Sequence, residues 1–399
     1  MLGEICIFVI GIGHSNTTHT MTSYDSSTNV GTSTPPRLLS LDALRGFDMF
    51  FIIGGAGLIA AICGLFPSSE FAGWLSAQMH HVEWNGFSHH DTIFPLFLFI
   101  AGISFPLSLR KQQLAGATRG RICLRIVRRV VLLILLGLVY NGLFRLQLDT
   151  LRWPSVLGRI GVAWGVAALL TVWLKPKSRA LIAVALLVGY SLLLTIPAPD
   201  VAEGVGPLTK EGNLVGFVDR LLIPNHIYWR GVMDPEGVLS TLPAVVTALL
   251  GVFTGEWIGH RGVSGGRKAL AMIVASVVML ALGMAWNLWQ PINKMLWSSA
   301  FVLTAGAYSL AVFALFYYLI DVRGYRRWAE VLRVVGVNSI TIYMLQEIVS
   351  FGRVSQFFLG GLAGVLPEGW GAVVLSLGYV VACWLVLYLL DRKKIHLKV

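Results

Sequence analysis

Charge is scarce in this sequence: Asp, Glu, Lys and Arg make up 13% of its 399 residues, whereas a soluble protein carries roughly 25%. Hydrophobic residues make up 56%, and apolar blocks of about twenty residues, long enough to cross a bilayer, recur along the chain. Polar and apolar residues do not alternate within these blocks, which argues against a transmembrane β-barrel. The sequence therefore predicts an all-α polytopic membrane protein, with about ten transmembrane helices in one bundle.

Cysteine is also scarce. The four cysteines form no CxxC pair, so neither a disulfide framework nor a zinc site is indicated, and we expect no metal. The N-terminus lacks the positive charge of a signal peptide, because the short apolar stretch 5–13 follows Glu4. The next segment is rich in Ser and Thr and has no means of building a core. We therefore expect a disordered polar leader over residues 1–36, followed by one transmembrane domain over residues 37–399.

The formal net charge of +11 suggests a nucleic-acid partner, but its distribution indicates membrane topology instead. With the N-terminus in the cytoplasm, the inside segments hold 23 of the 31 Lys and Arg residues, as the positive-inside rule requires. We therefore expect both termini to be cytoplasmic and no nucleic acid to bind. The predicted spans cover residues 46–65, 91–109, 126–144, 156–174, 179–196, 237–258, 269–288, 296–320, 335–351 and 370–390.

Four of the nine histidines lie in one stretch, HHVEWNGFSHHDTIFP, at residues 80–95. His80 and His81 precede the second predicted span on its outer side, and Asp91 falls in the first turn of that helix. Asp91 is either a functional carboxylate stabilised by the helix dipole or a simple N-cap. Histidine is the usual general base near neutral pH, which favours catalysis. Histidines that only line a wet loop are the alternative, and a metal site is disfavoured because the spacing lacks the pairing of zinc motifs.

Other polar residues lie at the outer ends of predicted spans. Asp234 and Glu236 precede the sixth span, where they either cap the helix or contact a sugar or an amine. Asn293 and Lys294 lie between the seventh and eighth spans. Lys294 either binds an anionic group of a ligand or extends its ammonium to the membrane surface.

Five segments in order resemble motifs of the heparan-α-glucosaminide N-acetyltransferase family and its bacterial relatives, from about Arg37 to the C-terminus. The resemblance implies a transmembrane acyltransferase domain in the bacterial inner membrane, in contact with lipid. It implies transfer of an acetyl group from cytosolic acetyl-CoA to an amino sugar on the periplasmic side, and a homodimer. The segments are RLLSLDALRGFDMFFII, HVEWNGFSHHDTIFPLFLFIAG, PSVLGRIGVAW, DPEGVLSTLPAVVTALLGVFTG and PINKMLWSSAFVL.

The resemblance also implies roles for individual residues. The family's His-x-x-Trp-Asn-Gly motif begins here at His81, which is therefore expected to be catalytic, as a general base or as an acyl carrier. The family's Asp-x-x-Phe-Pro motif begins at Asp91, the second expected catalytic residue. The expected substrate-binding residues are Trp84, Asn85, Asp234, Glu236, Asn293 and Lys294.

CoA carries phosphates, so basic residues on the inner side are candidates to bind it. We expect Arg125, Arg128 and Arg129 to do so, although arginines at this position also serve as topology anchors. The chain departs from the family in the first span, where the lysosomal enzyme has a functional asparagine before a glycine run. The segment here is FFIIGGAGL, which contains Gly54 and Gly55 but no amide side chain.

Two other functions fit a polytopic membrane protein with polar residues inside. A transporter for amino sugars or their derivatives would also use polar residues near the midplane and broken helices. A scaffold without a ligand would not explain the His81 motif. Binding of acetyl-CoA distinguishes the acetyltransferase from both.

Overall fold

The computed structural model describes residues 38–229 and 231–397, so the predicted leader lies outside the described residues. The regular secondary structure of the described residues is helical, apart from two isolated β-bridges, and the all-α polytopic membrane fold is confirmed. Eight of these helices are long and apolar enough to span a membrane, or nine if one bent pair forms a single span. The expected number of ten and the side of each terminus stay predictions.

Fifteen α-helices occur in the described part of the chain. They are α1 Leu39–Phe50, α2 Ala56–Gly64, α3 Glu70–Gln78, α4 Ile93–Leu114, α5 Arg119–Tyr140, α6 Val156–Trp173, α7 Pro176–Leu193, α8 Leu214–Leu222, α9 Thr241–Gly259, α10 Gly265–Asn287, α11 Ser299–Phe316, α12 Ala329–Val337, α13 Ser339–Ile348, α14 Phe351–Val365 and α15 Trp370–Arg392.

Helices α4, α9 and α11 form the centre of the bundle, since they are the most deeply buried of the long apolar helices. Helices α7, α10 and α15 lie at its periphery and expose most of their surface. Small residues bring α4 and α9 together: a Cβ on Gly251 would lie 2.0 Å from the Phe99 carbonyl oxygen, and one on Gly102 would lie 2.2 Å from the Ala248 oxygen. Close backbone approach of this kind favours helix association in membranes.

Three irregular segments interrupt the helical bundle around one cavity. A π-helical turn, Phe51–Gly55, joins α1 to α2, and Gly54 in it has φ 103°, which favours glycine. A 3-10 turn, His89–Thr92, precedes α4. Helices α12 and α13 meet at 64° around Asn338, so the ninth predicted span is a bent pair. Non-helical backbone is tolerated at membrane depth where it lines a cavity.

Candidate active site

One cavity of about 470 Å³ runs between α1, α4, α5, α6 and the bent pair α12 and α13. Four polar residues line one end, here called the histidine end, and two arginines line the other, the arginine end. Arg45 at the arginine end donates to Ser104 Oγ at 2.6 Å. His90 lies just before Ile93, the first residue of α4, and Ser104 follows Ile93 by eleven residues, so the two ends are roughly 16–20 Å apart along the α4 axis. The residues at the histidine end are His81, His90, Glu236 and Lys294, and those at the arginine end are Arg45 and Arg129.

The two expected catalytic residues are in direct contact. His81 Nδ1 lies 2.7 Å from Asp91 Oδ1, and Asp91 is fully buried. The second oxygen of Asp91 accepts from the Ser88 hydroxyl at 2.9 Å, within a capping box at the 3-10 turn. Since a carboxylate only accepts, a neutral imidazole at this position carries its proton on Nδ1 and its lone pair on Nε2. The His81 side chain is 46% exposed, so this basic nitrogen is accessible.

The ammonium of Lys294 contacts both members of this pair. Its Nζ lies 3.4 Å from Asp91 Oδ1 and 3.0 Å from His81 Nδ1. Because His81 donates its Nδ1 proton to Asp91, the ammonium pairs with the carboxylate, and its Nζ also lies 3.3 Å from His81 Nε2. Burial lowers the pKa of Lys294, and the Asp91 charge opposes that effect. Lys294 therefore balances the buried carboxylate within reach of the imidazole.

Hydrogen bonds hold the loop that carries Lys294 against residues 84–86, which follow His81 in the chain. Asn293 Nδ2 donates to Asn85 Oδ1 at 3.0 Å, and the Gly86 amide donates to the Ile292 carbonyl at 2.8 Å. Trp84 Nε1 donates to the Leu208 carbonyl at 2.8 Å, which ties the same segment to the long outer loop. Trp84, Asn85 and Asn293 thus hold the loops that surround the cavity, and none of them lines it. Their role in substrate binding stays a prediction.

Arg152, which sequence reasoning missed, organises the two acids that precede α9. Its guanidinium binds both oxygens of Asp234, at 2.6 and 2.8 Å, and also the Glu236 carboxylate. Asp234 is fully buried and takes no part in lining the cavity, whereas Glu236 does line it. Neither acid caps α9, which begins at Thr241. Asp234 therefore orients Arg152, and Arg152 orients Glu236.

A second missed residue, Asp219 on α8, supports the same loop. Its two oxygens accept from the amides of Asp234 at 3.1 Å and Val238 at 2.9 Å. Burial raises its pKa to about 6. Neither Arg152 nor Asp219 belongs to a recognisable motif. Both contact Asp234, which is distant in the sequence, so their roles are seen only in the structure.

The three arginines expected to bind CoA line one cavity of about 530 Å³ between α4, α5 and α6. Arg129 also lines the first cavity, so the two cavities meet at this residue. Its guanidinium lies 4.3 Å from the centre of the Trp164 ring, while Arg125 donates to Gln112 Oε1 at 2.7 Å. Arg125, Arg128 and Arg129 are therefore placed together, but whether they bind CoA is a prediction.

The four clustered histidines have different environments. His80 is exposed and bonds to the Ser76 carbonyl, and His89 Nδ1 lies 2.9 Å from the Tyr308 hydroxyl, away from the cavity. His90 lines the cavity beside His81, which the sequence did not indicate. No group of three or more metal-binding side chains is found in the described ranges.

Comparison with known proteins bears on this site. A family model described as "Domain of unknown function (DUF5009)" matches residues 37–144, which include the His81–Asp91 pair. Heparan-alpha-glucosaminide N-acetyltransferase of Homo sapiens is 27% identical, over 79% of this chain and 53% of that protein. The Mus musculus protein of the same name is 29% identical, over 67% of this chain and 49% of that protein. This chain is a distant relative of the heparan-alpha-glucosaminide N-acetyltransferases.

The chain spans about half the length of these curated relatives. The likeness to the N-acetyltransferases agrees with the resemblance carried by the sequence motifs.

Proposed function

We propose that this protein is a transmembrane acetyltransferase that transfers an acetyl group from acetyl-CoA to the amine of an amino sugar. The observation that carries the proposal is the cavity that joins the His81–Asp91 pair to Arg129. A base is available at one end, and cations suited to phosphates surround the other. The two similar proteins are N-acetyltransferases, which agrees with this chemistry.

In the proposed reaction, the arginine end receives CoA, and Arg125, Arg128 and Arg129 bind its phosphates. The thioester reaches the histidine end through the cavity. His81 Nε2 takes the proton of the attacking amine, while Asp91 and its neighbour Ser88 fix the imidazole in the basic tautomer. The resulting imidazolium is stabilised by the Asp91 carboxylate and returns the proton to the leaving thiolate. An acyl-His81 intermediate is the other route open to the same nitrogen.

The proposal includes the sidedness expected from the charge distribution. The arginine end would face the cytosol, where acetyl-CoA is present, and the histidine end would face the periplasm across a bacterial inner membrane. Glu236 at the histidine end offers a carboxylate to a sugar hydroxyl or an ammonium group. No observation in the described structure favours the transporter alternative.

The test is transfer of radiolabelled acetyl from acetyl-CoA to glucosamine by purified protein in detergent, with acetyl-CoA binding measured separately. We expect wild type to transfer, His81→Ala to bind acetyl-CoA without transferring, and His80→Ala to behave as wild type. His80 is the matched control, since it is the neighbouring histidine but lies outside the cavity. A folded wild-type protein that neither binds acetyl-CoA nor transfers would refute the acetyltransferase.

A further inference from the structure

His90 lies in the proposed active site and has no role in the mechanism above. It is part of the 3-10 turn His89–Thr92, directly before Asp91. Its ring centre lies 4.4 Å from that of His81, edge to face, and both rings line the same cavity. Two imidazoles therefore face the position where the acetyl group would react.

The two ring nitrogens of His90 differ in their surroundings. Nδ1 is buried and has no hydrogen-bond partner, which leaves Nε2 as the nitrogen that can meet a molecule in the cavity. His81 differs, because its Nδ1 donates to Asp91. The two imidazoles therefore differ in their surroundings: Nδ1 of His81 contacts a carboxylate, whereas Nδ1 of His90 has no partner.

These surroundings favour a neutral His90. An imidazolium would place an N–H at Nδ1, where no acceptor is found, and burying an unpaired donor is unfavourable. It would also add a positive charge beside Lys294 and His81, while Asp91 already accepts from His81 and Ser88. With Nδ1 unprotonated, the ring proton lies on Nε2, and His90 offers a neutral N–H donor to the cavity.

We propose that His90 Nε2–H donates a hydrogen bond to the carbonyl oxygen of the acetyl thioester. The inference rests on the proposed acetyltransferase function. When the amine attacks the carbonyl carbon, the C=O π pair moves to oxygen, and His90 stabilises that oxyanion. His81 takes the amine proton. As the carbonyl re-forms, the C–S bond breaks with its electron pair on sulfur, and His81 protonates the thiolate. Catalysis is then divided between a basic and an electrophilic imidazole.

The test compares His90→Ala, which removes the donor, with His90→Gln, whose amide N–H reaches a similar position. We expect kcat to fall by about 10²–10³-fold in His90→Ala, with the KM for acetyl-CoA unchanged and much of the kcat restored in His90→Gln. Infrared difference spectra of bound [1-¹³C]acetyl-CoA give a direct readout of carbonyl polarisation. The carbonyl stretch should lie at higher frequency in His90→Ala than in wild type, and His80→Ala should match wild type.

Three results would overturn the inference. If wild type transfers acetyl and His90→Ala keeps its kcat, the oxyanion role is wrong while the acetyltransferase stands. If both His90 variants lose activity equally and the carbonyl frequency does not move, His90 only supports the fold. If folded wild type neither binds acetyl-CoA nor transfers acetyl, the proposed function fails, and this role fails with it.

Discussion

The Asp91 carboxylate, itself fully buried, lies 2.7 Å from His81 Nδ1. Through this contact a carboxylate that does not line the cavity determines which nitrogen of His81 is basic.

Asp91→Asn should abolish most activity, and it should also lower stability because it removes the carboxylate that pairs with the Lys294 ammonium. The amide presents either an N–H or a weaker acceptor to Nδ1, so the proton can move to Nε2 and the base is lost. In a serine protease triad the equivalent change lowers kcat about 10⁴-fold, and we expect a loss on the order of 10³–10⁴. The measurement is kcat beside acetyl-CoA binding and thermal stability. Activity within a few-fold of wild type would show that Asp91 does not set the tautomer.

Removing Arg152 should strongly destabilise the outer loop. Its partners Asp234 and Glu236 have side chains that are 0% and 11% exposed, and leaving buried charges unpaired costs about 3–5 kcal/mol. The control is Arg145→Ala, since the Arg145–Glu347 pair is longer, at 3.6 Å, and exposed. An exposed pair of this kind contributes at most about 1 kcal/mol. Equal thermal unfolding midpoints for Arg152→Ala and Arg145→Ala would contradict this account.

Gly251→Ala should force α4 and α9 apart. The new Cβ would lie 2.0 Å from the Phe99 carbonyl oxygen, and overpacking a core costs about 1–3 kcal/mol or more. Gly189→Ala on α7 is the matched control, because its Cβ would meet nothing within 4 Å. We expect a lower unfolding midpoint for Gly251→Ala and an unchanged or higher one for Gly189→Ala. The reverse order would refute close packing at this crossing.

Neutralising the arginines around the second cavity should weaken donor binding rather than chemistry. A hydrogen bond to a charged group contributes about 1.5–3 kcal/mol, so Arg128→Gln or Arg129→Gln should raise the Kd for CoA roughly 10–100-fold. Arg121→Gln on the same helix is the control, since Arg121 lines neither cavity. Isothermal titration with CoA measures the effect. An equal Kd for CoA in all three variants would show that Arg128 and Arg129 do not bind CoA and act only as topology anchors.

Asp219 should make stability depend on pH in the acidic range. Its folded-state pKa of about 6 lies above the ordinary value of 3.8, so between these values the folded state binds more protons than the unfolded state. The contribution of Asp219 to stability is therefore greatest below pH 4 and falls as pH rises towards and through 6. The measurement is the difference in unfolding midpoint between wild type and Asp219→Asn from pH 4 to 7. A difference that does not change over this range would refute it.

Hydropathy and local motifs predicted most of the helices and the core of the site. The second predicted span, 91–109, coincides with α4, and the motifs placed His81 and Asp91 close in the chain. Lys294 contacts them from about two hundred residues away, which no local pattern reveals. The bend at Asn338 was also missed, because residues 335–351 were predicted as one continuous span. His90 was missed because residue type alone does not separate it from His80 and His89.

The trio of His81, Asp91 and Lys294 has a consequence for biogenesis. Helices enter a membrane in the order of synthesis, so Asp91, in the turn before α4, is in place well before Lys294 leaves the ribosome. Until then the carboxylate lacks its ammonium partner, and a buried charge without a partner is costly. The proposed active site is therefore completed late, by a segment of the second half of the chain folding back onto the first. A nascent chain stalled between α4 and Lys294 should be a target for membrane quality control.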